Sequence, residues 1–336
     1  MKICVVGAGA IGGLMGAKLA LAGEDVTLVD LGAHLAAIQK NGLKLIWEDG
    51  TEHVVKNAKA TSSLREAGPQ DLIILAVKAH HLDQVAADVP AALGPETAVV
   101  TVQNGIPWWY FQNHGGEHDG RPLISLDPTG ALGQHIDGDR IIGCVVYPAA
   151  EVIAPGVVRH VEGDRFPVGE LDGSESDRAM RLRDALINAG FRSRVIPDIR
   201  AEIWLKAWGN LSFNPISALT HATLEQICQF PETRKLAADM MTEAQDIGHK
   251  LGIEFRHTIE KRIAGAEAVG AHKTSMLQDV EAGRSLEVEA LIGSVLELAR
   301  LTDTRAPAIE AVYACVKLLN EVILLKDAGI KVGAAA

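Results

Sequence analysis

Residues 1–20 read MKICVVGAGAIGGLMGAKLA, a short apolar run that passes straight into Gly7, Gly9, Gly12 and Gly13. Glycine inside a helix costs about 1 kcal/mol relative to alanine, so glycines at the start of a helical pattern need a task that only bare backbone performs. The spacing G-x-G-x-x-G falls on Gly7, Gly9 and Gly12, after a strand-like run and before a helix. There the first glycine makes the tight turn, the second lets the backbone approach a pyrophosphate, and the third lets helix and strand pack closely. The helix start offers unbonded N–H groups and the positive end of its dipole to the phosphates. Gly7, Gly9, Ala10, Ile11 and Gly12 are therefore the expected dinucleotide-binding residues.

Working outward, Asp30 closes the next strand, DVTLVD, 18 residues after Gly12. A carboxylate there accepts hydrogen bonds from both ribose hydroxyls of NAD and repels a 2′-phosphate. No arginine follows at once in DLGAH, so NAD is favoured over NADP; the plainer reading is that Asp30 caps the following turn. DLIILAVKA, TAVVTVQNG and IIGCVVYPA read as further buried strands, with helical patterns such as AHHLDQVAADV between them. That alternation predicts a Rossmann-type α/β domain with a parallel sheet. GVVRHVEGDRFPVGELDG reads as added strands at the sheet edge, and SESDRAMRLRDALINAG as an amphipathic helix capped by Ser174 or Ser176.

After Pro197 the texture changes to long helical patterns, including AEIWLKAWGNLSFNPISAL and APAIEAVYACVKLLNEVILL. The expectation is a dinucleotide-binding domain over 1–196 and an all-helical substrate and dimerisation domain over 197–330, with a frayed tail KVGAAA. Two domains also suit a chain of 336 residues.

Composition removes other classes. A net charge of −11 argues against a nucleic-acid partner, which needs a basic footprint. No apolar run reaches the roughly 20 residues that cross a bilayer, and none reads as a signal peptide. Cys4, Cys144, Cys228 and Cys315 are scattered, without the clustered spacing of a metal site, which suits reduced thiols in a cytoplasmic protein.

Lys78 in AVKAHH and Asn104-Gly105 in TVQNGIP follow strands, where open α/β sheets bind ligands. A solvated lysine and a simple turn dipeptide are the plainer readings. In the first long helix, Lys206, Asn210 and Asn214 recur every four residues and so share one face, among Trp204, Trp208, Leu211 and Phe213. Buried polar groups of this kind need partners, and a polar substrate supplies them. HKTSMLQDVEAGRSLEVEALIG carries Ser275, Gln278, Asp279, Glu287 and Glu289, for which a charged helix surface is the usual explanation.

The set GAGAIGG, AVKAHH, VQNG, LKAWGNLSFNP and SMLQDVEAGRSLEVE, in this order over nearly the whole chain, resembles the ketopantoate reductase family. The resemblance implies a second half like the C-terminal fold of 6-phosphogluconate dehydrogenase, an active site between the two halves, and NAD(P)H-dependent reduction of 2-dehydropantoate to pantoate. It implies Lys206 as the proton donor, with Glu287 orienting it. Ser275 would bind the substrate carboxylate, Asn104, Asn210 and Asn214 would hold substrate and lysine, and Lys78 and Asn104 would lie at the cofactor.

Three places depart from the family pattern. THATLEQ has Leu224 where better-known members carry a further asparagine. Asp30-Leu31 stands where NADPH users carry an arginine. NGIPWWYF, with Trp108 and Trp109, is bulkier than a small substrate needs. These features favour, as the alternative, an NAD-dependent D-2-hydroxyacid dehydrogenase acting on a larger 2-oxo acid. A non-catalytic nucleotide sensor is the reading from another class, and a flavin enzyme is disfavoured because no second flavin motif is present. The expected partners are a small 2-oxo acid and a second copy of the chain, with no nucleic acid and no membrane.

Overall fold

The computed structural model describes residues 1–326. The tail KVGAAA and the end of the expected second domain lie outside the described residues. The chain forms two compact units: Met1–Gln103 with Pro107–Ile199, and Asn104–Ile106 with the chain from Arg200 onward.

The first unit opens with β1 (Lys2–Val6), α1 (Ala10–Leu21), β2 (Asp25–Val29), α2 (Gly32–Asn41), β3 (Leu43–Ile46), β4 (Glu52–Val55) and β5 (Lys59–Thr61). It continues with α3 (Leu64–Ala67), β6 (Gln70–Leu75), α4 (Leu82–Ala86), β7 (Leu93–Thr101), α5 (Ala131–His135) and β8 (Ile141–Cys144). It closes with β9 (Ala149–Ala154), β10 (Val157–Glu162), β11 (Val168–Glu170) and α6 (Asp177–Asn188). The seven-stranded sheet runs β11-β8-β7-β6-β1-β2-β5. All its pairings are parallel except β11 on β8. The order turns back between β1 and β6, the switch point at which doubly wound sheets bind ligands. The sheet centre is continuous apolar sequence because both faces are covered: Ile3, Cys4, Val5, Ile73, Ile74, Val99 and Val100 are fully buried. Ser176, rather than Ser174, caps α6, accepting from the Ala179 N–H.

One expectation is corrected. Of the strands expected at the sheet edge, only β11 lies there. β9 and β10 form a hairpin within a separate four-stranded sheet, β4-β3-β10-β9. Alternation explains this. β10 buries Val158 and His160 and exposes Arg159 and Val161, the pattern of a sheet covered on one face only. Val158 packs against α1 at Gly13.

The second unit holds α7 (Ile199–Thr220, whose first residue counts with the first unit), α8 (Leu224–Gln229), α9 (Pro231–Lys250), α10 (Ile259–Glu267) and α11 (Ser275–Glu281). A π turn over Glu289–Gly293 leads into α12 (Ser294–Leu301), and α13 (Pro307–Lys326) follows. Trp204 and Trp208 fix the rotation of α7. Both are fully buried and pack against Phe255, and the Trp208 Nε1–H donates to the Met241 carbonyl at 2.6 Å. With that face turned inward, the Lys206, Asn210 and Asn214 face is turned away from the tryptophans. No helix among the described residues is long and apolar enough to cross a membrane.

Candidate active site

In the first unit the glycines divide their work as the motif requires. Gly7 leaves β1 with φ +94°, and a Cβ there would lie 2.8 Å from the Val77 nitrogen. Only glycine combines that turn with that approach. At Gly12 a Cβ would run into the Gly7 carbonyl oxygen and stand 2.8 Å from the Ala76 Cβ, so helix and strand ends touch through bare backbone. At Gly9 a Cβ would meet nothing within 4 Å. Packing therefore does not explain Gly9, and the open space above it is where a phosphate group fits. The first intrahelical bond of α1 is Gly13 N–H to Gly9 O at 2.7 Å. No side chain caps the helix and no acidic residue sits in its first turn. The amides of Ala10, Ile11 and Gly12 therefore face outward as anion donors. These residues fit a dinucleotide pyrophosphate.

Asp30 stands just past the end of β2. Its Oδ1 accepts from the Leu31 N–H at 2.7 Å, so it does brace the turn, as the plainer reading held. Oδ2 accepts no hydrogen bond among the described residues. His34 escaped the sequence reading. Gly156 N–H donates to its Nδ1 at 3.1 Å, which leaves the hydrogen on Nε2 to donate to the Ala8 carbonyl at 2.9 Å. The ring thus ties the glycine turn to the β9–β10 hairpin. Nothing in GAHLAA marks this, because the partner at 156 is remote in sequence. Lys78 lies three residues past β6, half-buried, and holds the His81 imidazole below its ordinary range as the lesser cause after burial. The Gln103 amide braces this loop by donating to the Leu75 and Val77 carbonyls at 2.7 and 2.9 Å.

The second unit carries a side-chain cluster. Lys206 Nζ donates to Asn104 Oδ1 at 2.6 Å, and Asn104 Nδ2 points to Glu287 Oε2 at 3.5 Å. Three segments remote in sequence thus meet: the end of TVQNG, the first turns of α7 and the SLEVE stretch. On the same α7 face, buried Asn214 reaches the Ser275 hydroxyl at 3.4 Å. Ser275 is the exposed first residue of α11, which Thr274 caps. Asn210 lies between, half-buried, with its amide unbonded among the described residues. The segment leading to Glu287 is held by Asn320, whose Oδ1 accepts from the Leu286 N–H at 2.8 Å. Asp279, left to surface charge by the sequence reading, is instead buried and paired with Arg284 at 2.8 Å. Arg262 was also missed; its guanidinium lies against α7 where Gly209 leaves room.

Trp108 and Trp109 differ from expectation. Both are buried, and the Trp109 Nε1–H donates to Thr101 Oγ1 at 2.8 Å. Trp109 thereby anchors the post-β7 segment to β7, and its ring also lies against Gly143 of β8. Burial pushes the Cys4 thiol up to about 12 and that of Cys228 to about 11, which leaves neither a nucleophile at neutral pH. Among the described residues no group of three or more His, Cys, Asp or Glu could hold a metal.

Residues 3–173 match the family model described as ketopantoate reductase PanE/ApbA, and 198–320 its C-terminal counterpart. The chain is 52% identical over 320 residues to a 2-dehydropantoate 2-reductase of Mesorhizobium japonicum, covering 95% of this chain and 98% of the relative. It is 31% identical to one of Pyrococcus horikoshii, over 94% and 97% of the two chains. A solved structure from Ralstonia solanacearum that bears the name of a ketopantoate reductase superposes with TM-score 0.91 at 38% identity, over 96% and 98% of the chains. D-mandelate dehydrogenase with NADH and anilino(oxo)acetate superposes with TM-score 0.82 at 22% identity, over 96% and 99%, a likeness of fold alone. Fold and relatives together define an oxidoreductase with a Rossmann-type domain and a helical partner domain. The chain belongs to the ketopantoate reductase family, which uses NAD(P)H.

Proposed function

We propose that the protein reduces a 2-oxo acid to the 2-hydroxy acid, with 2-dehydropantoate as substrate and pantoate as product. The observation that carries this is the Asn104–Lys206–Glu287 group, the one cluster described above that combines a transferable proton with a carboxylate and an orienting amide. When bound, the nicotinamide supplies a hydride to the carbonyl carbon. The ketone oxygen then gains charge, and an ammonium with a proton to give stabilises it. Lys206 fills that role. Asn104 Oδ1 aims its Nζ, and Glu287 balances its charge. Asn210, Asn214 and Ser275 offer donors to the rest of the substrate, with Ser275 serving its carboxylate. Gly7, Gly9, Ala10, Ile11 and Gly12 hold the pyrophosphate, Asp30 takes the adenosine ribose hydroxyls and so favours NADH, and Lys78 adds positive charge for the phosphates. Domain limits near 196 and a cytoplasmic location belong to the same reading.

Oxidation of NADH and NADPH in the presence of 2-dehydropantoate and of benzoylformate tests it. Turnover of 2-dehydropantoate is expected. A clear preference for benzoylformate would instead assign a D-2-hydroxyacid dehydrogenase, the second reading, which Asp30 supports. Tight nucleotide binding with no turnover of any 2-oxo acid would leave a nucleotide sensor. Exposed Leu318 and Leu325, seven residues apart on one face of α13, support a homodimer, which sedimentation equilibrium reads directly.

A further inference from the structure

Asn104 is an unusual residue to find against Lys206. It lies three residues past the end of β7, yet Asn104–Ile106 belong to the helical unit. The backbone on its C-terminal side is held by one carbonyl, that of Ala290. The Ile106 N–H donates to it at 3.0 Å, and Gly105, with φ +85°, lies so close that a Cβ would run into the same oxygen.

In an α-helix that carbonyl would be consumed by the N–H four residues on. Here it is available because the turn over Glu289–Gly293 is π-helical: the Ser294 N–H reaches back to the Glu289 carbonyl instead. Ala290 O is thereby released to accept Ile106 N–H, together with the Ser294 hydroxyl at 3.0 Å. Single π turns of this kind recur at functional sites.

The wide turn has its own clamp. The Glu289 carboxylate folds back over Gly293, where a Cβ would collide with its Oε2. It accepts from the Tyr313 hydroxyl at 2.9 Å and from Lys317 Nζ at 3.0 Å, and Lys317 also donates to the Tyr313 oxygen at 2.7 Å. A carboxylate held by two donors from α13, above a residue that must lack a side chain, fixes the turn in its open form.

We propose that Glu289, clamped by Tyr313 and Lys317, is a positioning residue for the reaction: it holds the π turn that offers Ala290 O to Ile106, and so sets Asn104 against Lys206. The proposal rests on the assignment of Lys206 as proton donor. Glu289 acts through backbone, two residues from Glu287. A loosened Asn104 leaves Lys206 without its 2.6 Å guide, and small misplacements of a reacting group are costly in rate.

Three variants test it with the full-length enzyme: Glu289→Ala, Gly293→Ala and Tyr313→Phe, the last removing only a hydroxyl. Each is expected to lower kcat by about tenfold or more for Glu289→Ala and a few-fold for Tyr313→Phe, with the KM for the nucleotide unchanged. In an Asn104→Ala background the Glu289→Ala change is expected to cost nothing further, because the two act on one contact. Amide hydrogen exchange at Ile106, protected in the wild type, is expected to quicken in all three, and this readout does not depend on turnover. Quickened exchange in an enzyme that turns over no 2-oxo acid would sink the functional reading and leave the clamp standing. Unchanged Ile106 exchange in a folded Tyr313→Phe and Glu289→Ala pair, or full additivity with Asn104→Ala, would overturn the clamp.

Discussion

The two units build their candidate sites from opposite materials. In the first, the site is backbone: a left-handed Gly7, an uncovered Gly9 and three outward amides, all within a dozen consecutive residues. In the second it is side chains: Asn104, Lys206, Asn214, Ser275 and Glu287, drawn from four separate stretches. A backbone site tolerates almost any side chain on its neighbours but no Cβ at its own glycines. A side-chain site has the converse weakness, and depends on whatever keeps remote segments in register. On the proposed function, the same contrast separates binding a common nucleotide from recognising one particular acid and giving it a proton.

The largest effect expected from this contrast is at Lys206. Lys206→Ala should lower kcat by roughly 10²–10⁴, the usual worth of a general acid, while the nucleotide Kd stays at the wild-type value. A fall in nucleotide affinity instead would mean that the helical unit also binds the cofactor through this lysine. Next come two glycine substitutions of opposite character. Gly12→Ala should destabilise the fold by about 3 kcal/mol or more, since the new methyl has to displace backbone. Gly9→Ala should change stability by no more than about 1 kcal/mol, as at any uncapped helix start, yet weaken nucleotide binding about tenfold or more. Thermal unfolding with and without NADH separates the two, and equal behaviour of both variants would erase the distinction. Asp30→Ala should shrink the preference for NAD over NADP by about tenfold, the worth of one charge-assisted hydrogen bond. An unchanged ratio would remove Asp30 from cofactor choice.

The smallest effect concerns a buried lysine of the first unit. Lys18 is 4% exposed, lies over the Phe191 ring at 3.9 Å and donates to the Gly190 carbonyl. Burial holds its ammonium below the ordinary value of 10.5, with Asp164 and Glu48 opposing. A folded-state value below the unfolded one means that the unfolded chain binds more protons between the two, so stability rises as pH climbs through that interval and levels off above it. Lys18→Met should abolish this alkaline rise in denaturant midpoint and leave kcat untouched. Loss of activity in this variant would contradict the division of labour between the units.

How legible each site was follows from the same contrast. GAGAIGG could be read because its mechanics lie in consecutive residues, and the α7 stripe because a helix has a fixed period. The ambiguity of SMLQDVEAGRSLEVE could not be resolved from its own letters. Asp279 turned out to be a buried ion pair, Glu287 a neighbour of Asn104, and Glu289 the holder of a π turn, although all three are acidic residues in one short run. The tryptophans of NGIPWWYF were ambiguous for a related reason: large apolar side chains look alike in the sequence whether they line a pocket or fill a core, and both are buried. β10 was misplaced because alternation gives a strand its faces but does not name its neighbour.

Local physics, then, sufficed for the alternation of strands and helices, the glycine turn and the face that Lys206 shares with two asparagines. These depend on dihedral freedom, helical period and dipole direction, which travel with the chain. Folding in three dimensions had to decide that Asn104 leaves its own strand to serve the helical unit, that Ala290 yields its carbonyl to hold it, and that His34 braces the glycine turn. Each of these is a hydrogen bond between groups distant in sequence, and such bonds form only where packing has already brought donor and acceptor together.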